Sequence, residues 1–223
     1  MEKLLLQLVK KWGVDCIIFD LDGTLVDTLE FHIKAFQQLF AEKGLKISYD
    51  KIAENMGRTP KDTLLTLLSN LVDAPKKLEM LTQEKEQKLS KLLTTVYKMP
   101  GAEEILKLLK ANHKTLCLAS STPSYNVKKI LEATTLEVYF DAIVTEEDIS
   151  VGKPNPEVFL VAAKKGRCSI DSCLVIGDST HDIKAAKNAG MKVIAVASGK
   201  HSKVELEQEQ PDFLVQTLKT LIT

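Results

Sequence analysis

The sequence predicts an α/β fold, a parallel sheet with helices on both faces interrupted by one helical insertion, on three observations. Short apolar runs recur at residues 14–19, 115–119, 141–144, 173–176 and 192–196. Helical periodicity fills residues 102–112, 124–133, 155–165 and 180–189 between the later runs, the alternation expected of strands joined by helical crossovers. Residues 28–97 break that alternation, since they hold no comparable apolar strand and are rich in Leu, Lys, Glu and Gln.

Taken in order, residues 1–12 carry Lys3, Lys10 and Lys11 among leucines. The stretch is too short and too charged to span a bilayer, and it lacks a small-residue cleavage site. Its apolar positions share one helix face, so a short helix covering an edge of the core is expected. The strand at 14–19 then runs directly into Asp20-Leu21-Asp22-Gly23-Thr24-Leu25-Val26-Asp27, where Gly23 and Thr24 end it. Within the insertion, Leu29, Ile33, Phe36 and Phe40 form one apolar stripe, and Leu64, Leu67, Leu68 and Leu71 form another. Pro60 and Pro75 suit the first positions of helices. Met99-Pro100-Gly101 marks the return to the core. The expected domains are therefore a core of residues 1–27 with 100–223 and an insertion of residues 28–99. Gly166 and Gly190 stop the helices that precede them.

With 223 residues, 44% hydrophobic and 27% charged, the chain is long enough for one good-sized core and is not composed like a disordered protein. Thirty basic and thirty acidic side chains cancel, which argues against a large nucleic-acid footprint and leaves small anionic ligands open. No membrane partner is expected. Cys16, Cys117, Cys168 and Cys173 form no CxxC pair, and two of them lie inside apolar runs. All four read as reduced small hydrophobes, which favours a cytoplasmic location.

Chemistry concentrates where apolar runs end, the edge of a parallel sheet at which ligands bind. Asp20 and Asp22 stand at the first such end. Because the strand stops at Gly23, one carboxylate is placed as nucleophile and metal ligand while the other acts from the turn as acid and base. Ser120, Ser121 and Thr122 follow the second run, where hydroxyls and free N–H groups suit an anion; capping of the next helix is the competing reading. In Gly152-Lys153-Pro154, the proline keeps Lys153 extended and out of a helix. There an ammonium offsets Asp20 and a phosphate, while a solvated loop lysine is the plainer alternative. Gly177-Asp178-Ser179-Thr180-His181-Asp182 follows the fourth run. Asp178 is a hard oxygen ligand suited to Mg²⁺. Asp182 serves either as a further ligand or as the partner of Ser179 in a capping box.

In this order the four motifs resemble the haloacid dehalogenase (HAD) superfamily of phosphatases and phosphotransferases, over nearly the whole chain. The matching residues are Asp20, Asp22, Gly23 and Thr24, then Ser120, then Lys153, then Gly177, Asp178 and Asp182. The resemblance implies a Rossmann-like core with an α-helical C1 cap, and lies closest to the phosphoglycolate phosphatase and β-phosphoglucomutase group. It implies that Asp20 attacks phosphorus, that Asp22 protonates the leaving oxygen and then activates water, that Ser120 and Lys153 hold the phosphoryl oxygens, and that Thr24 and Ser121 also stand at the phosphate. It implies Mg²⁺ bound by Asp20, the Asp22 backbone carbonyl, Asp178 and Asp182. Asp22 also argues against a true dehalogenase. The partner implied is a small phosphorylated metabolite, phosphoglycolate-like or a sugar phosphate.

Substrate choice in this family rests on the cap, where His32, Arg58 and Lys61 are the polar candidates. His32 has the spacing from Asp20 at which sugar-phosphate mutases of the group carry a histidine. Read alone, it is one polar residue on an amphipathic helix and is expected to face solvent. Gly177 favours the phosphatase, because the mutases usually carry Glu there. His113, His181 and His201 carry no ligand spacing and are expected to be solvated.

Overall fold

A computed structural model describes residues 2–68 and 75–223. Helix α1 (Leu4–Trp12) leads into β1 (Cys16–Phe19), and four helices follow: α2 (Leu29–Glu42), α3 (Tyr49–Ala53), α4 (Pro60–Leu67) and α5 (Pro75–Leu92). The chain then alternates through α6 (Ala102–Ala111), β2 (Thr115–Ala119), α7 (Ser124–Thr134), β3 (Ala142–Val144), α8 (Glu157–Lys165) and β4 (Cys173–Gly177). It finishes with α9 (Thr180–Asn188), β5 (Lys192–Val196), α10 (Lys203–Gln208) and β6 (Phe213–Val215).

The six strands form one parallel sheet in the order β3-β2-β1-β4-β5-β6. Strand β1 lies between β2 and β4, with Cys16 opposite both Thr115 and Cys173. The chain builds outward on one side through β2 and β3, then returns to build the other side from β4. The carboxyl ends of β1, β2 and β4 therefore open onto one crevice. Both faces of β1 are covered: Ile17 and Phe19 join the layer with α1, α6 and α7, while Cys16 and Ile18 join the layer with α8 and α9. Full burial of Phe19 stabilises by about 1.5–3 kcal/mol and anchors the strand that ends at Asp20.

Helices α2 to α5 enclose an apolar cluster of their own, in which Leu29, Ile33, Phe36, Phe40, Leu64 and Leu68 are buried. The Phe36 and Phe40 rings stack at 5.9 Å between centroids. Pro60 opens α4 behind Thr59, whose hydroxyl accepts from the Asp62 N–H. Leu67 is only partly buried, and Leu71 lies outside the described residues. Among the described residues no helix is long and apolar enough to cross a membrane.

Two elements at the end of the chain escape periodicity. Strand β6 has three residues at the sheet edge, too few to alternate, and α10 announces itself only through the Ser202–Glu205 capping box. Helix α8 starts at Glu157 rather than residue 155, because the Asn155 side chain accepts from the Glu157 N–H and forms a turn ahead of it.

Candidate active site

Asp20 continues the β1 ladder by donating its N–H to the Ile176 carbonyl (3.0 Å), so its carboxylate stands at the strand end. Lys153 reaches it from the loop before α8, with Nζ 2.5 Å from Asp20 Oδ1 and 2.8 Å from Asp182 Oδ1. The same ammonium donates to the Ala119 carbonyl (3.2 Å) and rests on the Phe159 ring. One fully buried cation therefore ties together the ends of β1 and β2 and the start of α9. Burial opposes its charge, but Asp182 and Asp20 outweigh burial and hold its pKa above the usual lysine value.

Asp182 is the capping-box partner of Ser179 and at the same time faces the buried lysine. Its Oδ2 accepts from the Ser179 N–H and hydroxyl (3.1 and 2.5 Å) as a capping box, while Oδ1 faces Lys153. This packing requires Gly177, since a Cβ there would sit 2.6 Å from Asp182 Cγ. Asp178 accepts from the Thr24 hydroxyl at 2.7 Å. Gly23, with φ near +87°, passes so close that a Cβ would meet Asp178 Oδ2 at 2.6 Å. Thr24, expected at the phosphate, instead positions Asp178. Its fully buried hydroxyl is spent on that bond.

Oxygen atoms of Asp20, Asp178 and Asp182 lie within 4.8 Å of one another, all buried. Three carboxylates face one ammonium, an imbalance that burial makes costly. Burial, with Asp182 and Asp22 nearby, raises Asp20 to about 7 despite Lys153, and burial with Asp20 and Asp182 raises Asp178 well above the usual carboxylate range. A hard divalent cation fits this donor set, because it takes oxygen ligands and supplies the missing charge.

A carboxyl with a raised folded-state pKa stabilises the metal-free fold at pH below its unfolded value, and that contribution is lost as pH rises through about 7 for Asp20. Protons and a cation compete for these oxygens. If Mg²⁺ is the cation, about 100 times its Kd would add about 2.7 kcal/mol and raise the melting temperature by roughly 5–10 °C at this chain length. The full shift is expected at pH 8 and a much smaller one at pH 5.5, read by thermal unfolding with Mg²⁺ or chelator. Equal shifts at both pH values would contradict a carboxylate site.

Asp22 belongs to a different network. Its carboxylate is not in the metal-competent group but points to the inserted helices, because the strand has ended and alternation no longer dictates its direction. It accepts from Thr28 Oγ1 (2.5 Å), Thr122 Oγ1 (2.8 Å) and, at the long limit, Ser120 Oγ (3.5 Å). Thr28 stands at the N-cap of α2 without making a cap bond, its hydroxyl being committed to Asp22. His32 Nε2 lies 3.2 Å from Asp22 Oδ1. Burial pushes the Asp22 carboxyl up, but His32 and the hydroxyls of Thr28 and Thr122 hold it well below the usual range.

His32 therefore does not face solvent: it is buried at the contact between α2, α5 and the core. Behind it, Lys85 Nζ lies 3.1 Å from His32 Nδ1, and an ammonium only donates, which assigns the ring proton to Nε2. Lys85 also donates to Glu86 (2.6 Å) and sits over the Phe36 ring. Glu86 in turn accepts from Asn126 of α7 (2.6 Å). Lys85, Glu86 and Asn126 are all buried.

The remaining candidates are placed as follows. Ser121 donates to the Gly57 carbonyl at 3.0 Å, so its hydroxyl joins the insertion to the core. Ser120 is fully buried and its Oγ accepts from the Thr122 N–H. Arg58 lines the space above Asp20, but its guanidinium is bonded to Asn55 and Thr66 within the insertion. Lys61 is exposed on the rim of a wider cleft of about 500 Å³ between insertion and core. The space enclosed by Asp20, Asp22, His32, Arg58 and Thr122 is only about 20 Å³, room for one water. His113 is exposed, whereas His181 and His201 pack edge to face at 5.5 Å under the Glu54 carbonyl. Burial pushes His181 down to about 4 and lowers His201 too.

Residues 17–196 match the family model described as haloacid dehalogenase-like hydrolase. The pyrophosphatase PpaX of Oceanobacillus iheyensis is 30% identical over 211 residues, 95% of this chain and 96% of that protein. The phosphorylated carbohydrates phosphatase of Thermotoga maritima is 30% identical over 81% of this chain and 84% of its own length. A solved hydrolase from Pseudomonas syringae superposes with a TM-score of 0.87 at 30% identity, covering 93% of this chain and 95% of that one. The chain belongs to the haloacid dehalogenase-like hydrolase family.

Proposed function

We propose that this chain is a Mg²⁺-dependent phosphatase of small phosphorylated metabolites, with Asp20 as its nucleophile. The observation that carries the reading is the Asp20 carboxylate, paired with Lys153, grouped with Asp178 and Asp182, and facing Asp22 across the same enclosed space. The names of the relatives, a pyrophosphatase and a carbohydrate-phosphate phosphatase, point the same way. In this reading residues 28–99 are a cap over a core of residues 1–27 and 100–223. Four free thiols suit a reducing compartment and support a cytoplasmic location in this reading.

Asp20, Asp178 and Asp182, with the Asp22 backbone carbonyl, would hold Mg²⁺, which when bound neutralises carboxylate and phosphoryl charge. Lys153 holds Asp20 Oδ1, so attack on phosphorus comes from the other oxygen, and the product is an aspartyl-phosphate. Lys153 and Ser120 steady the phosphoryl oxygens as charge moves onto them. Asp22 gives a proton to the leaving oxygen, then takes one from the water that opens the intermediate. The bonds that hold Asp22 ionised favour its role as base, while a phosphate dianion drawn in beside it opposes them and favours its role as acid. No phosphomonoester fits the 20 Å³ space, so the cap lifts to admit one.

A second reading, a sugar-phosphate mutase, is favoured by one observation: the closed cap seals Asp22 against His32 and leaves room for a single water. Product identity separates the two. With glucose 1-phosphate and a bisphosphate primer under Mg²⁺, free phosphate is the expected main product. Efficient isomerisation with little phosphate would overturn the phosphatase reading. A panel including pyrophosphate, phosphoglycolate and sugar phosphates identifies the preferred substrate.

A further inference from the structure

We infer that Lys200 is a positioning residue of the proposed phosphatase reaction: from the loop after β5 it fixes the first turn of α2, the turn that sets Thr28 and His32 on Asp22. The inference rests on the reading of Asp22 as acid and base. Residues 198–200 carry none of the proposed chemistry, yet each touches a different part of the site. Ser198 donates its hydroxyl to the Gly23 carbonyl at 2.7 Å. Gly199 lies against Asp178 so closely that a Cβ would stand 1.8 Å from its Oδ2. Lys200 then crosses to the inserted helices and pairs with Glu30.

Glu30 stands between Thr28 and His32 on the same turn, which is closed by the Phe31 and His32 N–H groups donating to the Thr28 carbonyl (2.9 and 3.2 Å). A displacement of Glu30 therefore moves both partners of Asp22 together. Glu30 also accepts from the Tyr49 hydroxyl (2.6 Å) at the start of α3, and the Lys200 ammonium lies 5.8 Å from the centre of the Tyr49 ring. At the other end of α3, the Glu54 carbonyl meets His181, on which the next loop residue, His201, is packed. An isolated exposed ion pair contributes little. Here the Lys200 side chain is only 23% exposed and shares its partner with Tyr49, and these two bonds hold the Glu30 carboxyl below the usual carboxylate range. With Ser198 and Gly199 seated on the core, the ammonium has little freedom to follow a displaced α2.

The test compares, in the full chain, Lys200→Met with Lys200→Arg, which keeps the charge and the ring contact. Lys203→Met is the control, since it removes another exposed lysine, paired with Glu207 inside α10. With p-nitrophenyl phosphate under saturating Mg²⁺, Lys200→Met lowers kcat about fivefold and leaves KM within about twofold of wild type. Lys200→Arg recovers most of the loss, and Lys203→Met changes neither constant. Hydrogen–deuterium exchange without substrate reads the same contact independently of turnover. Amides of residues 31–33 exchange about fivefold faster in Lys200→Met and at the wild-type rate in Lys200→Arg, while the urea midpoint of the whole protein stays near wild type. Wild-type kcat in Lys200→Met, an equal loss in Lys200→Arg, or unchanged exchange at residues 31–33 overturns the inference. Absence of Mg²⁺-dependent phosphate release from the wild type overturns the phosphatase reading instead, and the exchange rates still decide whether Lys200 fixes the turn.

Discussion

Asp20→Asn lowers the rate of phosphate release by at least about 10³-fold, because the amide cannot form the acyl-phosphate that divides the reaction into two easier steps. The substitution keeps the shape of the side chain. It removes one of three mutually repelling buried carboxylates, and Lys153 retains Asp182 as its partner at 2.8 Å. Loss of the Asp20–Lys153 pair and relief of repulsion with Asp178 therefore oppose each other, and stability changes little. Initial rates with a generic phosphomonoester and a urea unfolding curve check both halves. Turnover above a few per cent of wild type would remove Asp20 as nucleophile.

Lys153→Ala damages activity and fold together. Its ammonium is the one cation in contact with Asp20 and Asp182 among the described residues, and it also donates to the Ala119 carbonyl. Removing one member of a buried ion pair costs about 3–5 kcal/mol, because the other charges remain buried without a partner. The lost stabilisation of phosphoryl oxygens costs about 10²-fold or more in rate. Lys153→Arg does not rescue, since a planar guanidinium does not fit a fully buried site shaped for an ammonium. The identifying signature is metal dependence: Mg²⁺ restores more stability to Lys153→Ala than it adds to wild type, because it supplies the missing positive charge. Urea unfolding with and without Mg²⁺ measures this. A loss below about 1 kcal/mol in the metal-free protein would show that the pair does not hold the site together.

Asp20 and Asp178 are legible in the sequence for a local reason: each follows an apolar strand, and the strand end fixes where the side chain stands. Asp20 and Asp178 are read on that basis, Lys153 only through Pro154 and the company of the other motifs, and Asp182 both as cap and as possible ligand. The other half of the site is made by contacts distant in sequence. Lys85 sits in a Lys- and Glu-rich helix that reads as a solvated face, and only the packing of α5 on α2 turns it toward His32. The same packing buries His32, which periodicity by itself placed toward solvent. Thr122 lay inside the run of hydroxyls, but that the shorter bond to Asp22 comes from it, not Ser120, depends on the turn after β2. Thr28 left no signal apart from its N-cap position, and its hydroxyl is drawn off by Asp22.

In the proposed mechanism phosphoryl transfer passes through Asp20. Its most direct test is rapid acid quenching of the wild-type protein during turnover with Mg²⁺, followed by mass analysis of peptides. The expected result is one phosphoryl group, labile to hydroxylamine, on the peptide that carries Asp20, and its absence in Asp20→Asn. A phosphoryl group on another residue, or turnover on the quench timescale with Asp20 never modified, would contradict it.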